Sequence, residues 1–405
     1  MSRHSGRSQA SDEQALSLPA MSAQQQQFSE ELQAIIRDTI ASNGQVISFE
    51  KFMQLALYHP ELGYYTSTLN KLGAEGDFIT SPEVSELFGR CLANYCEQVL
   101  SAMTHSLLIE FGAGTGKLAA DILLELERRD SLPTAYWIIE LSADLQQRQR
   151  DYLQANVPHL LPRVQWHSSL PDEQVDAIVI ANEVLDAMPV ERFQVDDAIH
   201  GMGVTWSEQQ QRFESALMEP GEALKTTIES VYQQYGQNWP TGYTSEISLI
   251  QPAWIASIAA SLKNGVVLLI DYGYGRPEYY LPQRNQGTLM CHYQHRAHGN
   301  PFTHIGQQDI TAYVDFTHIA MAAVDQGMQL AGYTTQCGFL LENGLETMMP
   351  DAEQASVTDM LKFSQQVKTL TMPTEMGERF KVMALSKNLS LNFPGFTLQD
   401  QRRRL

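Results

Sequence analysis

The stretch Leu107-Leu108-Ile109-Glu110-Phe111-Gly112-Ala113-Gly114-Thr115-Gly116-Lys117-Leu118 constrains the fold of this chain more than any other. An apolar, strand-like run ends in an acid and passes through three alternate glycines into a helical pattern. Glycines at such a bend let the backbone approach a ligand with no Cβ in the way. The bend is not the dinucleotide fingerprint, whose third glycine falls one place later, where this chain has Lys117. Nor is it a phosphate loop, because Leu118 follows Gly116-Lys117 where a Ser or Thr would hold Mg²⁺. An acid beside a bend not built for pyrophosphate points to a ligand with a cationic part.

From residue 107 onward, short β-branched runs alternate with helical segments, which predicts an α/β fold with a parallel sheet covered on both faces. Strands are expected at residues 107–111, 136–140, 164–167, 177–181 and 266–271, with helices at 117–129 and 142–153. Ser142 would be the N-cap of the second of these helices. Ahead of the sheet, residues 28–40 and 48–57 have helical spacing, and a third helix carries Leu87, Phe88, Leu92 and Tyr95, so 28–105 reads as an N-terminal helical layer. Residues 190–245 and 342–373 read as insertions, the first opening with antiparallel hairpins, and 391–405 as a tail. The stretch 272–308 reads as irregular. Helix is expected at 316–326, and strand at 334–341 and 380–385.

Composition narrows the function. Lys plus Arg total 27 against 47 Asp plus Glu, a net charge of −20, which argues against non-specific nucleic-acid binding. A basic protein partner is compatible with it. The four cysteines form no Cys-x-x-Cys pair and read as reduced thiols. No apolar run is long enough to span a membrane. Residues 1–27 are polar and read as disordered, and a start of this kind suggests a bacterial-type cytoplasmic protein. A homodimer is compatible with the sequence, which does not decide the oligomeric state.

The candidate site follows from where the strands end. Glu140 closes the second strand, 24 residues after Gly116, where an acid in a doubly wound fold accepts hydrogen bonds from ribose hydroxyls. Ser169 and Leu170 lie just past the third strand, beside the adenine in such a fold. After the fourth strand comes Asn182-Glu183-Val184-Leu185-Asp186-Ala187-Met188-Pro189; in a helical turn Glu183 and Asp186 would share a face. Asp271 and Tyr272 end the fifth strand and could line the same crevice. Thr80, Ser81 and Pro82 open a helix, with Thr80 or Ser81 as its cap, and free N–H groups there could bind a carboxylate. His292, His295, His298 and His304 have metal-like spacing but no Cys or paired acid nearby, so no metal is expected.

These segments together carry a resemblance. Gly76-Asp77-Phe78-Ile79-Thr80-Ser81-Pro82-Glu83, the Glu110 to Gly116 bend, Asn182 to Pro189, Ile270-Asp271-Tyr272-Gly273, Asp309 to Phe316 and Gly377 to Val382 occur in order. Over roughly residues 30–390 the chain resembles the MidA-type S-adenosylmethionine (SAM) dependent methyltransferases. That family includes the mitochondrial protein-arginine methyltransferase that assists respiratory complex I assembly. The resemblance implies a class I, Rossmann-like methyltransferase domain over residues 106–390 with SAM as methyl donor. It also implies an arginine-containing protein as acceptor, although Val184-Leu185 stands where relatives often carry aromatics. Glu110, Gly112, Gly114, Gly116, Glu140, Ser169, Leu170, Asn182, Thr80, Ser81 and Pro82 would hold SAM. Glu183, with Asp186 and Asp271 secondary, would act on the acceptor. Two other readings are a SAM-binding assembly factor with little catalytic activity and a nicotinamide dehydrogenase, the latter opposed by Lys117.

Overall fold

The computed structural model describes residues 18–67, 80–349 and 355–405. The first helix, Ala23–Ser42, starts five residues before the expected position. Ser22 and Gln25 form a capping box that satisfies two otherwise orphaned donors. Of the disordered start expected over 1–27, residues 1–17 lie outside the described residues, and residues 23–27 are helical. Gly76 to Ile79 of the resemblance also fall outside them. The second helix, Phe49–Tyr58, is capped by Ser48, whose side chain accepts from the Lys51 N–H.

The central sheet has eight strands, of which Val314–Asp315 is a two-residue strand paired in parallel with the end of the fifth; the other seven are β1 (Leu107–Phe111), β2 (Ala135–Ile139), β3 (Val164–His167), β4 (Val175–Asn182), β5 (Leu262–Tyr274), β6 (Gln329–Thr335) and β7 (Phe380–Lys387). Their order is β6-β7-β5-β4-β1-β2-β3. Strands β1 to β5 are parallel, as the alternating pattern predicts. The last strand departs from that: β7 is antiparallel to both neighbours. Lys381 pairs with Thr335, so β7 enters at the level where β6 leaves, and the helical segment between them never returns the chain to the opposite edge. Both faces are covered. In β4, Ile178 and Ile180 join one apolar core while Ala177, Val179 and Ala181 join the other.

Two other expectations are corrected, and one helix went unread. The strand expected at 334–341 ends at Thr335, whose hydroxyl accepts from the Gly338 N–H and starts the helix Gln336–Glu342. The 272–308 stretch holds two short strands, Met290–Tyr293 and Arg296–His298, which with Asp309–Thr311 make a small antiparallel sheet. A helix at Gln251–Ser261 precedes β5; its residues are apolar nearly all round, so no amphipathic stripe marks it in the sequence.

The first insertion forms antiparallel strands Glu191–Val195, Ile199–Ser207, Arg212–Met218 and Tyr243–Ile247 with a helix at Glu222–Tyr235. Its Ile199–Ser207 strand pairs with Ile47–Ser48, between the first two helices. Leu32, Ile36, Phe52 and Met53 of those helices share a core with Val204 and Phe213 of the insertion. The first two helices and these strands therefore share one core. Among the described residues no helix is long and apolar enough to cross a membrane.

Candidate active site

The glycine bend leaves β1 with Gly112, Gly114 and Gly116 at φ of +61°, +54° and +87°, a region L side chains rarely adopt. The three have different neighbours. A Cβ on Gly112 would press on Val184 at 3.3 Å, and one on Gly116 would meet the Gln149 backbone at 3.3 Å. A Cβ on Gly114 would meet nothing within 4 Å, because this glycine faces open space.

That space is a cavity of about 900 Å³ at the carboxyl ends of β1, β2 and β4. Glu110, Gly112, Gly114, Glu140, Ser169, Leu170, Asn182, Glu183, Thr80 and Pro82 all line it, as the sequence placed them. Ser81, Gly116, Asp186 and Asp271 do not. Gly116 acts behind the wall, letting the helix Ala143–Asn156 approach. Ser81 is fully buried: its N–H donates to Glu183 Oε1 at 3.3 Å and its hydroxyl to Gln336 Oε1 at 3.1 Å. The helix it was expected to open is the four-residue turn Ser81–Val84; Thr80 is at the cap position, with no side-chain cap bond. The N–H expected to face a ligand carboxylate is thus engaged by Glu183.

Asp186 and Asp271 lie under the 183–188 turn, which is a bend and not helical, so the face-sharing expected of Glu183 and Asp186 is absent. Asp271 Oδ2 accepts from the Leu185 and Asp186 N–H groups at 2.9 and 3.2 Å, and its Oδ1 from the Tyr272 N–H at 2.8 Å. The carboxylate ties the turn to β5. Glu183 stands above it at φ +54°, its N–H donating to the Ile270 carbonyl at 2.9 Å.

Burial sets the electrostatics. It raises Glu183 to about 8, helped by Asp186 and opposed by the hydrogen bonds from Ser81 and Asn182. Asp271 rises to about 8 through burial and the charge of Glu183, and burial with Asp271 and Asp309 nearby raises Asp186. Glu110 rises to about 7 through burial, which outweighs the 2.7 Å hydrogen bond donated to its Oε2 by Tyr136. Glu140 is also raised by burial; it accepts from the Ser142 N–H and from Gln149 Nε2, leaving lone pairs for a ligand.

Sequence reasoning missed one wall. Tyr58, Tyr65 and Thr66 of the N-terminal layer and Trp254 of the helix before β5 also line the cavity. Thr115 of the bend donates to Glu83 at 2.6 Å, joining the bend to the 81–84 turn. Among the described lining residues the charged side chains are all acids: Glu61, Glu83, Glu110, Glu140, Asp144 and Glu183. The histidines lie elsewhere, around the 290–298 hairpin, and among the described residues no group of His, Cys, Asp and Glu is placed to hold a metal ion.

The donor set suits a cationic nucleoside. Two buried carboxylates stand at the ends of neighbouring strands, the bend between them presents Gly114 to the cavity with no Cβ in the way, and Asn182 Oδ1 is buried without a hydrogen-bond partner. A pyrophosphate would find acids where it needs donors and cations.

Comparisons with known proteins agree. Residues 91–334 match the profile of a family described as S-adenosyl-L-methionine-dependent methyltransferase. A crystal structure from Burkholderia thailandensis bound to S-adenosyl-homocysteine (SAH) is 38% identical, superposes with a TM-score of 0.89, and is matched over 96% of this chain and 100% of its own. The protein arginine methyltransferase NDUFAF7 homolog of Drosophila melanogaster is 27% identical over 89% of this chain and 84% of its own length. The mitochondrial protein arginine methyltransferase NDUFAF7 of Danio rerio is 28% identical over 84% and 83%. The chain belongs to this MidA-type family of class I methyltransferases, and its cofactor is SAM.

Proposed function

We propose that the protein transfers methyl groups to an arginine side chain of a protein substrate. The observation that carries this reading is the cavity wall. It bears six carboxylates and, among the described residues, no basic side chain, with Glu183 buried at the end of β4. A wall of one sign attracts a permanently cationic acceptor and repels an anionic one. Glu110, Gly112, Gly114, Ser169 and Leu170 would hold SAM, with Thr80, Pro82 and Asn182 at its edge and Glu140 accepting from the ribose hydroxyls. SAM, when bound, supplies an electrophilic methyl group on a sulfonium.

The chain's own residues then have to present the nucleophile. A guanidinium with a pKa above about 12 is not deprotonated beforehand. Glu183 orients it through charge-assisted hydrogen bonds and takes up a proton during or after transfer. The guanidinium's charge beside Glu183 offsets the burial that raises its pKa, and so restores the carboxylate. Asp271 acts through the turn, whose backbone it fixes, and Asp186 lies within that turn. Orientation of this kind can lower a barrier by about 7–11 kcal/mol. The two NDUFAF7 relatives are named as protein arginine methyltransferases, which supports this acceptor class.

Incubation with a cell lysate and methyl-labelled SAM, followed by mass spectrometry, should place the label on arginine. Glu183→Gln should reduce turnover at least about 100-fold while calorimetry finds SAH affinity within a few-fold of wild type. Label confined to another acceptor, or an undiminished variant, overturns the reading.

A further inference from the structure

Tyr58 ends the helix Phe49–Tyr58, and Tyr65 follows after a turn of six residues. Both line the cavity that Glu183 lines. Their rings stack at a centroid distance of 5.5 Å and an interplanar angle of 25°. Each is anchored by its hydroxyl to a different part of the fold. Tyr58 donates to the Ala187 carbonyl at 3.0 Å, and Tyr65 donates to Asp309 Oδ1 at 2.8 Å. Tyr64 braces the second ring edge-on at 4.9 Å. Ala187 is four residues past Glu183, so ring and carboxylate are referred to the same turn.

Two anchored phenols facing a cavity are a costly way to fill space. Phenylalanines would pack as well without hydroxyls to satisfy. The arrangement has chemical consequences instead. Donation to a carboxylate enriches the Tyr65 ring, and an electron-rich face attracts cations. A guanidinium is flat and weakly hydrated, so it stacks on such a face better than an ammonium does. We propose that Tyr58 and Tyr65 form the aromatic surface on which the acceptor's planar cation stacks, opposite the carboxylate that engages its edge. This rests on the arginine reading given above and deepens it. It makes the N-terminal layer, which lies outside the central sheet, the part that selects a guanidinium over other acceptors.

The test needs no natural substrate. Two bisubstrate probes are compared by calorimetry: adenosine joined through a thioether chain to a guanidine, and the same chain ending in a neutral isobutyl group. Wild type should bind the guanidine probe at least about tenfold more tightly. Tyr58→Leu/Tyr65→Leu should cut that ratio at least about fivefold, leaving the part due to the carboxylates, and Tyr58→Phe/Tyr65→Phe should keep most of it. SAH affinity reports whether each variant keeps its nucleoside site. If the leucine variant binds SAH normally and keeps the wild-type ratio, the stacking surface is refuted and the arginine reading stands. No preference in wild type overturns the arginine reading, and the surface with it. Equal loss in the phenylalanine and leucine variants assigns the effect to the hydroxyl anchors and refutes stacking. Should the double leucine variant lose SAH binding, the same ratio for Tyr65→Leu alone decides.

Discussion

Glu183 combines two unfavourable states, a left-handed backbone at φ +54° and a buried carboxyl raised to about 8. A non-glycine residue in that region costs on the order of 1–3 kcal/mol and persists only where its surroundings over-determine it. Here they do: Ile270 takes the Glu183 N–H, and Asp271 grips the N–H groups of Leu185 and Asp186 in the same turn. The buried proton has a measurable consequence. Because the folded-state pKa lies above the unfolded value of about 4.3, the unfolded chain releases this proton first as pH rises. The group's favourable contribution to folding is complete below about pH 4 and is lost by about pH 8. Histidines lowered by burial, such as His292 and His318, drift in the opposite sense, so wild type alone is ambiguous. Glu183→Gln mimics the protonated carboxyl at every pH. Relative to wild type it should gain stability between pH 5 and 8, by on the order of a few kcal/mol, as read by ligand-free denaturant titrations. A difference that is flat or shrinks with pH would show that Glu183 is not buried as a neutral acid.

Among the elements, the pairing of Ile47–Ser48 with the Ile199–Ser207 strand joins the N-terminal layer to the insertion. Gly203 makes it possible, since a Cβ there would run into the Ile47 carbonyl. Gly203→Val should separate the layer from the insertion. Limited proteolysis should then cut between residues 23 and 65 while peptides from 107–182 stay protected; uniform resistance would mean that this pairing does not hold the layer. The same contrast explains what the sequence disclosed. Gly112, Gly114, Glu110 and Glu140 are readable because a strand end and a glycine bend are local facts, fixed by a dozen neighbouring residues. The tyrosine wall is not, because Tyr58 reaches a carbonyl 129 positions away and Tyr65 a carboxylate 244 positions away. Asp271 was expected to end the fifth strand and line the crevice; the strand runs on to Tyr274, and Asp271 is not among the lining residues. Its three N–H partners belong to a bend whose shape no periodicity encodes. The 334–341 error is of another kind: a short run with β-branched threonines at one end and Phe339, Leu340 and Leu341 at the other suits a strand or a buried helix, and the Thr335 cap that divides it is a tertiary choice.

For the whole molecule, a charge of −20 surrounds a cavity whose own wall is acidic. Charge at these two depths should act differently. Surface carboxylates are screened over a Debye length of about 8 Å at physiological salt, so they govern how fast a basic acceptor arrives more than how tightly the bound guanidinium is held. The acids inside the cavity are shielded from ions by protein and keep their effect at higher salt. Raising NaCl from about 50 to about 300 mM, which shortens the screening length by more than half, should therefore lower kcat/KM for a basic protein acceptor about tenfold or more. Over the same range kcat should change little and SAH affinity should stay within about threefold, because the nucleoside's contacts are all inside the wall. Steady-state kinetics at several salt concentrations, with SAH calorimetry in parallel, separates the two depths. Equal loss of SAH affinity and of kcat/KM would mean that the surface charge reaches the nucleoside site directly. A salt-independent kcat/KM would mean that the acidic exterior has no part in drawing the acceptor in.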